Sequence, residues 1–378
     1  MPDHLLNSHM QSLSGSKGRG EDALQCLTIP AKQAAMKRCF AFQWHITEQC
    51  DQRCRHCYIF TAEKMRIPLQ KVSEDAIPRI LENCTDMCQT MGREPYFYIT
   101  GGDPLLHHRF WDILGMLKSR GIGFSILGNP FHLTEAVCSR LKNLGCDRYQ
   151  LSIDGLRETH DAIRMDGSFD CTLEKVRCVR GAGIRCAVMT TISRMNLHEI
   201  PEVIDLVVKH QVHIFAFARY CPIGFDSETH VPPEEYRELL ERCWARFEMY
   251  KDSGTTFNLK DHLWTLFLYE KGLFTIPEEL DEDRIYDGCH CGDCHLNILP
   301  DGSVYACRRF ESEVGNALTG RLAEIFTGPQ MNEYRDYGKF EKCGRCELLR
   351  FCRGCPAVAY GYSKSMYAAD PQCWKEIA

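Results

Sequence analysis

Several features that would indicate a membrane, secreted or nucleic-acid-binding protein are missing from this sequence of 378 residues. It has no uninterrupted apolar run long enough to span a bilayer. Its opening segment, MPDHLLNSHMQSLSGSKGRGED, is polar and has no apolar core, which does not fit a secretory signal. A formal net charge of −6 argues against a general role in binding nucleic acid or a membrane surface. We therefore expect a cytoplasmic protein.

Cysteine, by contrast, is abundant, with 23 residues in the chain. Without a secretory signal, disulfides are not expected, so metal or redox chemistry is the better explanation. Eleven cysteines are scattered in no ligand pattern, and we interpret them as small buried hydrophobic residues. They include Cys26, Cys39, Cys138, Cys171, Cys186 and Cys221. So many free thiols are typical of a reducing, anaerobic cytoplasm.

Short β-rich runs alternate with amphipathic helical runs through the first part of the chain. The strand candidates are FAFQWHIT, YFYIT, FSILG, YQLSID, RCAVMTTI and HIFAFARY. Such alternation predicts a parallel sheet with right-handed crossovers. Six units are too few for a complete eightfold barrel, so the predicted α/β fold is an open, partial (β/α)6 barrel. The predicted divisions are a flexible tail (1–37), the core barrel (38–225), a helical linker (226–285) and a cysteine-rich domain (286–378).

Three cysteines, Cys50, Cys54 and Cys57, follow the first predicted strand with CxxxCxxC spacing and an aromatic residue after the third. A fully ligated four-iron cluster takes four cysteines. Three thiolates therefore leave one iron open for an exogenous chelating ligand. The alternatives are three buried free thiols, or part of a zinc site for which His45 or His56 would be the fourth ligand.

This spacing resembles the radical S-adenosylmethionine (radical SAM) family, in which the open iron binds the amino and carboxylate groups of S-adenosylmethionine. The resemblance implies a catalytic [4Fe–4S] cluster on the three cysteines and the partial barrel fold. It also implies reductive cleavage of S-adenosylmethionine to a 5′-deoxyadenosyl radical, with a flavodoxin- or ferredoxin-type protein as electron donor.

Two more strand ends carry residues expected near S-adenosylmethionine. Gly101-Gly102-Asp103-Pro104 resembles the GGEP motif that holds the methionyl amino group in the family, with Asp in place of Glu. Glycine there also lets the backbone approach a ligand closely. The other interpretation of this motif is an ordinary turn rich in Gly and Pro. Asn129, at another strand end, is expected to approach the ribose.

A third motif, Ser152-Ile153-Asp154-Gly155, is followed by His160-Asp161 and Arg164. It resembles the SxDG…HDxxR stretch of radical SAM enzymes that carry auxiliary clusters. In those enzymes the strand-end residues approach the cofactor. A nearby arginine such as Arg164 can clamp its carboxylate through paired charge-assisted hydrogen bonds. A structural salt bridge is the alternative role for Arg164.

The C-terminal region holds nine further cysteines, and Cys307 ends a GxxxxC spacing that begins at Gly302. This region resembles the SPASM domain, an appendix of radical SAM enzymes that carries auxiliary four-iron clusters. By that family's ligand order, the first cluster would use two of Cys289, Cys291 and Cys294, with Cys307 and Cys355. The second would use Cys343, Cys346, Cys352 and Cys373. A zinc ribbon is the alternative, because CxxC pairs are present.

The double resemblance predicts a radical SAM oxidoreductase that matures a ribosomally synthesised peptide, forming a thioether, carbon–carbon or related bond. The alternative is modification of a non-peptide molecule, such as a tetrapyrrole propionate side chain. The stretch from Cys352 to Cys373 resembles the branch with haem-modifying and mycofactocin-type enzymes and slightly favours that alternative. An iron–sulfur electron carrier is the least favoured interpretation. Too few residues precede the first strand for a winged-helix leader-recognition domain, so a precursor peptide would need a separate recognition protein or the barrel rim.

Overall fold

One ten-stranded sheet runs through the part of the chain that the computed structural model describes, residues 39–60, 68–222, 228–280 and 285–377. The predicted flexible tail therefore lies outside the described residues. The strands are β1 (Cys39–Thr47), β2 (Glu94–Gly101), β3 (Gly123–Leu127), β4 (Cys146–Ser152), β5 (Arg185–Ile192), β6 (Ile214–Arg219), β7 (Thr256–Asn258), β8 (His295–Ile298), β9 (Ser303–Tyr305) and β10 (Glu313–Asn316).

The sheet has the order β10-β9-β8-β1-β2-β3-β4-β5-β6-β7. All six predicted strands are present as β1 to β6, and each pairs in parallel with the next. Within the described residues no ladder joins β7 to β10, so the sheet stays open. This is the open, parallel α/β architecture that the strand–helix alternation predicts.

Helices follow most of the parallel strands. They are α1 (Ala76–Thr90), α2 (Phe110–Ser119), α3 (Glu135–Asn143), α4 (Arg157–Ile163), α5 (Ser168–Gly181), α6 (Ile200–Lys209), α7 (Pro233–Met249), α8 (Leu263–Glu270), α9 (Leu322–Thr327), α10 (Pro329–Asn332) and α11 (Pro356–Ser363). Among the helices that the structure describes, none combines the length and apolar character that crossing a bilayer requires.

The two faces of β1 differ, as the period of two in a strand requires. Phe40, Phe42 and Trp44 are fully buried, and the ring of Phe42 stacks on Phe97 of β2 at 5.3 Å. The alternate residues Gln43 and His45 are polar and hydrogen-bond to each other at 3.1 Å. One face of the sheet is therefore an apolar core, while the opposite face is polar.

The cysteine-rich region is joined to the barrel by the sheet itself. β8 pairs in parallel with β1, and β9 and β10 continue from it in antiparallel pairing. The predicted linker contains two helices, α7 and α8, and also β7, which the sequence analysis missed. β7 has only three residues and pairs in parallel with β6. Such a short strand carries too little periodicity to be recognised from sequence.

Candidate active site

The CxxxCxxC loop follows β1 at the carboxyl end of the parallel strands, the edge at which ligands bind in such sheets. Two neighbouring segments hold it through backbone hydrogen bonds. The amide of Asp103 donates to the carbonyl of Gln49 at 2.7 Å, and the amide of Arg55 donates to the carbonyl of Ile163 at 2.9 Å. The ends of β2 and α4 therefore fix the position of the cysteines.

The two glycines after β2 lie directly against this loop. A Cβ on Gly101 would stand 2.1 Å from the carbonyl oxygen of Thr47, and a Cβ on Gly102 would stand 2.2 Å from that of Gln49. Gly101 also has a φ of 152°, which side chains other than glycine rarely adopt. The close approach that these glycines allow in the structure is thus to the cysteine loop.

Two polar side chains face the thiols of the loop. Asn129 donates from Nδ2 to Sγ of Cys50 at 3.1 Å, and Nη1 of Arg164 lies 3.7 Å from Sγ of Cys54. Burial raises the pKa of both thiols, that of Cys54 to about 11, while the charge of Arg164 opposes the shift at Cys54. Asn129, expected near a ribose, therefore lies against a cysteine, and Arg164 can balance thiolate charge.

A compact group of ligand atoms, of the kind that holds a single metal ion, occurs elsewhere in the structure. Among the described residues, the ligand atoms of only one group, His290, Asp293 and Cys294, all lie within 4.8 Å of one another. Ligands of a tetrahedral zinc ion are about 3.8 Å apart. The three thiols of the CxxxCxxC loop do not form such a group, so the structure does not gather them around a single zinc ion.

Asp103 presents a carboxylate oxygen without a partner. Its side chain is fully buried, and Oδ1 accepts a hydrogen bond from the amide of Leu105 at 3.2 Å. Oδ2 is buried and has no hydrogen-bond partner among the described residues. Burial raises the pKa of Asp103 to about 6, so the group is ionised at neutral pH. An ammonium group would satisfy this oxygen, which fits the methionyl amino group of S-adenosylmethionine.

Arg164 also forms the structural ion pair that the sequence left open. Its Nε lies 2.5 Å from Oδ2 of Asp154, whose Oδ1 accepts from the amide of Thr191 at 2.8 Å. Burial alone would raise the pKa of Asp154, but the charge of Arg164 holds it below its usual range. The same guanidinium thus contacts Asp154 and Cys54, so it connects β4 to the cysteine loop.

The other residues of the third motif have supporting positions. His160 accepts from the amide of Asp154 at 3.1 Å, and Asp161 accepts from the amide of Phe169 at 2.8 Å in the first turn of α5. Ser152 is the last residue of β4 and is half-buried. His56, considered as a zinc ligand, has its Nε2 3.6 Å from Oδ2 of Asp154.

The tail thiols form two groups. In the first group, the thiols of Cys289 and Cys291 are in hydrogen-bonding contact. Burial raises the pKa of the nearby Cys307 thiol, and the charge of Cys289 raises it as well. Cys294 instead lies with His290 and Asp293, which are 3.3 Å apart at Nδ1 and Oδ2. This arrangement favours Cys289 and Cys291 over Cys294 beside Cys307.

The second group lines a single small cavity. Its four cysteines are those that the family order assigns to the second auxiliary cluster: Cys343, Cys346, Cys352 and Cys373. Burial raises the pKa of the Cys343 thiol to about 12, and the neighbouring Cys373 and Cys346 add to the shift. Thiols that converge on one apolar cavity fit a shared cluster.

Comparison with protein families agrees with both parts of this geometry. The Radical SAM superfamily matches residues 44–207, and the SPASM iron–sulfur cluster-binding domain matches residues 289–356. The chain is a radical SAM enzyme with a C-terminal SPASM domain. Its cofactors are S-adenosylmethionine, which supplies a 5′-deoxyadenosyl radical when it is bound and reduced, and [4Fe–4S] clusters.

Two kinds of curated radical SAM relative span almost the whole chain. An AdoMet-dependent heme synthase of Nitratidesulfovibrio vulgaris is 27% identical over 350 residues, which cover 89% of this chain and 92% of that protein. The mycofactocin maturase MftC of Mycolicibacterium smegmatis is 24% identical, covering 94% of this chain and 84% of that protein.

Solved structures share the fold. The anSMEcpe structure with bound AdoMet has a TM-score of 0.69 and 16% identity, covering 88% of this chain and 93% of that one. Streptococcus suis SuiB bound to S-adenosylmethionine also has a TM-score of 0.69, with 17% identity, covering 94% of this chain and 82% of that one.

Sequence reasoning missed two residues beside the first group of SPASM thiols. The thiol of Cys221, which follows β6, contacts that of Cys355. His262 hydrogen-bonds to the thiols of Cys289 and Cys355; although burial opposes the charged ring, these bonds raise the pKa of His262 to about 9. Cys221 comes just after a barrel strand, and this position in the sequence could have predicted that it lies near the cluster sites.

Sequence reasoning also missed three cations, Lys260, Arg308 and Arg309, which we call the cationic group. Burial, together with the charges of Arg309 and Arg148, lowers the pKa of Lys260 to about 8. By its accessible surface, Lys260 is nevertheless an exposed residue. Arg308 is buried, and its Nε has no hydrogen-bond partner among the described residues.

Proposed function

We propose that this radical SAM enzyme modifies a small carboxylate-bearing substrate of the tetrapyrrole type, and that it releases carbon dioxide from a propionate side chain. The observation that carries this proposal is the cationic group. Within the described parts of the chain, no carboxylate forms an ion pair with Lys260, Arg308 or Arg309. A chain with an overall charge of −6 therefore keeps one buried guanidinium, that of Arg308, without a carboxylate partner.

The cationic group lies between the two kinds of cluster site. Tyr58 directly follows Cys57, and the guanidinium of Arg308 lies 5.1 Å from the centre of its ring. Burial raises the pKa of Tyr58, and the charges acting on it come from Arg308, Arg309, Cys57 and Cys307. A substrate beside Tyr58 would therefore be close both to the catalytic cysteines and to the first auxiliary site.

An anionic substrate would offset the free-energy cost of holding these cations without an anionic partner. Cations held away from water without a partner are unfavourable, whereas arginine binds carboxylates through paired, charge-assisted hydrogen bonds. Arg309 and Lys260 act on each other as like charges, which strengthens the field toward an anion. A substrate carboxylate would thus be drawn to the cationic group and held there.

The chemistry balances for a propionate side chain. With the cofactor bound and reduced, one hydrogen atom would be removed from the carbon next to the ring. The carbon–carbon bond to the carboxylate then breaks, carbon dioxide leaves, one electron must be removed, and a vinyl group remains. The protein has to hold the carboxylate, exclude water from the radical and keep an electron acceptor nearby. A [4Fe–4S] cluster held by the SPASM thiols beside Arg309 would be that acceptor.

The curated relatives support this substrate class. Besides the heme synthase of Nitratidesulfovibrio vulgaris, an Fe-coproporphyrin III synthase of Methanosarcina barkeri is 24% identical over 88% of this chain.

The test uses Fe-coproporphyrin III with the anaerobically reconstituted enzyme, S-adenosylmethionine and dithionite. We expect each modified propionate to lose carbon dioxide and two hydrogens by mass, while the methyl ester of the same tetrapyrrole stays unchanged. Arg308→Met and Arg309→Met should raise KM at least 10-fold, because each removes a charge-assisted hydrogen bond of about 1.5–3 kcal/mol. Arg321→Met, at an exposed residue, is the matched control. Cleavage of S-adenosylmethionine with no change in the tetrapyrrole would overturn the proposal.

Peptide maturation is the second candidate, and the mycofactocin maturase relative favours it. The peptide's own carboxylate would then occupy the cationic group. The test is incubation with the small peptide encoded beside the gene for this chain. A product lighter by two hydrogens, formed when the tetrapyrrole is inert, would establish this function instead.

A further inference from the structure

One compact set of metal-ligand side chains lies outside the two groups of SPASM thiols, in the turn that leads into β8. His290, Asp293 and Cys294 each present one ligand atom, and these atoms all lie within 4.8 Å of one another. Nδ1 of His290 lies 3.3 Å from Oδ2 of Asp293, and the thiol of Cys294 is in hydrogen-bonding contact with the same imidazole. Among the described residues, no other group of three or more His, Cys, Asp or Glu side chains is gathered so closely. Ligand atoms at this spacing fit a single metal ion.

The backbone of this turn is held in place by the structure around it. Nε of Arg335 donates to the carbonyl of Gly292 at 2.7 Å, and the amide of Ala41 in β1 donates to the carbonyl of Cys294 at 3.0 Å. Gly292 has a φ of 83°, in the left-handed region that favours glycine, and a Cβ there would stand 3.3 Å from Cγ of Arg335. The protein itself therefore arranges the turn, so an ion would find its three ligands already placed.

The donor set and its charges fit a zinc ion. Imidazole nitrogen, thiolate sulfur and carboxylate oxygen are the ligands that zinc takes in proteins. With Asp293 and Cys294 both ionised, their two negative charges balance those of a divalent ion, and the complex is neutral. This neutrality suits the surroundings, because the positive charges of Arg93 and Arg353 also act on Asp293.

The exposure of the three side chains leaves one coordination position for water. Those of His290 and Asp293 are 19% and 29% exposed, whereas Cys294 is buried. Solvent thus reaches the ligand atoms from one side, while the thiol closes the other. Zinc in proteins is four-coordinate, and three protein ligands with one water are typical of sites that keep an open position.

We propose that His290, Asp293 and Cys294 bind one zinc ion, with water as the fourth ligand, separately from the [4Fe–4S] clusters. Cys294 then belongs to the zinc ion, which leaves Cys289 and Cys291 as the cluster-ligand candidates of this turn. The ion would stabilise the turn that carries both, because the free energy of metal binding favours the folded form of its ligands. The inference is independent of the substrate.

The test uses the full chain, reconstituted without oxygen to about twelve irons, so that three cluster sites are filled. One equivalent of zinc is added, weakly bound ion is removed by gel filtration, and zinc content and X-ray absorption at the zinc edge are measured. We expect about one zinc per chain, with one sulfur at about 2.3 Å and nitrogen or oxygen at about 2.0–2.1 Å. Failure to retain zinc would overturn the proposal. So would zinc bound by three or four sulfurs, because that ion would occupy a cluster site.

Two variants separate this site from the clusters. Loss of a residue that only supports a zinc ligand weakens binding by about 10- to 100-fold, so Cys294→Ala and His290→Ala should each weaken it further. Iron content and the paramagnetic signals of the reduced auxiliary clusters should stay unchanged. The matched control is His108→Ala, which removes an exposed histidine paired with Glu74 and should keep the zinc. Altered cluster signals in Cys294→Ala, with zinc binding unchanged, would make Cys294 a cluster ligand and refute the inference.

Should Cys294→Ala fail to fold, Cys294→Asp decides the question. Its carboxylate is similar in size to the thiol and can also bind zinc. We expect this variant to retain zinc while the sulfur neighbour disappears from the zinc edge. A sulfur neighbour that persists in Cys294→Asp would exclude Cys294 as the ligand.

Discussion

Arg219 of β6 and Asp370 near the end of the chain form a buried ion pair, with Nη1 and Oδ1 2.7 Å apart. The two side chains are 1% and 2% exposed, and Nε of the same arginine lies 3.0 Å from Asp261. One guanidinium thus neutralises two buried carboxylates, one before α8 and one in the SPASM tail. The pair fixes the barrel against the tail at the point where the first auxiliary cluster is proposed.

Removing this arginine should strongly destabilise the enzyme. Arg219→Met would leave two carboxylates buried and unpaired, and breaking a buried pair costs about 3–5 kcal/mol. We expect a lower denaturation midpoint and loss of auxiliary iron. The control is Arg157→Met, which breaks an exposed pair with Asp170 and should leave both measurements unchanged. Equal effects of the two substitutions would show that the buried pair has no special role.

Asp103→Asn should weaken binding of S-adenosylmethionine without removing the catalytic cluster. A charge-assisted hydrogen bond is worth about 1.5–3 kcal/mol, so Kd should rise by roughly 10- to 100-fold. Iron content should match that of Asp112→Asn, a control at an exposed position of α2. An unchanged Kd would exclude Asp103 from the binding site.

The pH dependence of binding provides a separate test of Asp103. Because burial raises its pKa to about 6, the carboxylate is ionised above that pH and protonated below it. Only the ionised form attracts an ammonium, so affinity for S-adenosylmethionine should fall as pH decreases through about 6. The other charged groups that act on it are His132 and Asp51, which pair with each other. Asp103→Asn should lose this dependence, while a dependence that persists in the variant would show that Asp103 is not its source.

Gly102→Ala should displace the cysteine loop. The new Cβ would overlap the carbonyl oxygen of Gln49, so the loop cannot keep its place beside β2. We expect loss of about four irons and of S-adenosylmethionine cleavage, with the auxiliary iron retained. Gly115→Ala in α2 has open space around its Cβ and should be neutral or stabilising by up to about 1 kcal/mol. Full iron and activity in Gly102→Ala would show that the loop can shift at no cost.

Replacing Cys50, Cys54 and Cys57 together with Ala should remove about four irons and abolish cleavage of S-adenosylmethionine, while the auxiliary clusters remain. The measurements are iron content and 5′-deoxyadenosine release under dithionite. Release of 5′-deoxyadenosine by this variant would refute the assignment of the catalytic cluster. Binding of zinc in place of the remaining iron would refute the SPASM cluster sites.

The sequence by itself determined the local features of this enzyme. Period-two runs such as FAFQWHIT, separated by amphipathic helices, are sufficient to predict the parallel sheet, because burying one face of each strand leaves few other arrangements. The spacing of Cys50, Cys54 and Cys57 predicted an iron–sulfur site, because their short separation keeps the thiols together in any compact fold. The GxxxxC spacing and the later cysteines predicted the SPASM domain through their resemblance to that family.

Only the tertiary structure decided which distant side chains meet. Cys221 and Cys355 are far apart in the sequence, and no local pattern relates them; the packing of α11 on the end of β6 brings them together. Likewise, Lys260 follows β7 while Arg309 follows β9, so the interaction between their charges depends on the tertiary arrangement of the sheet. The free oxygen of Asp103 is also a tertiary property, since burial and the missing partner are set by the segments around it. Long-range contacts of this kind arise from packing, which sequence spacing does not encode.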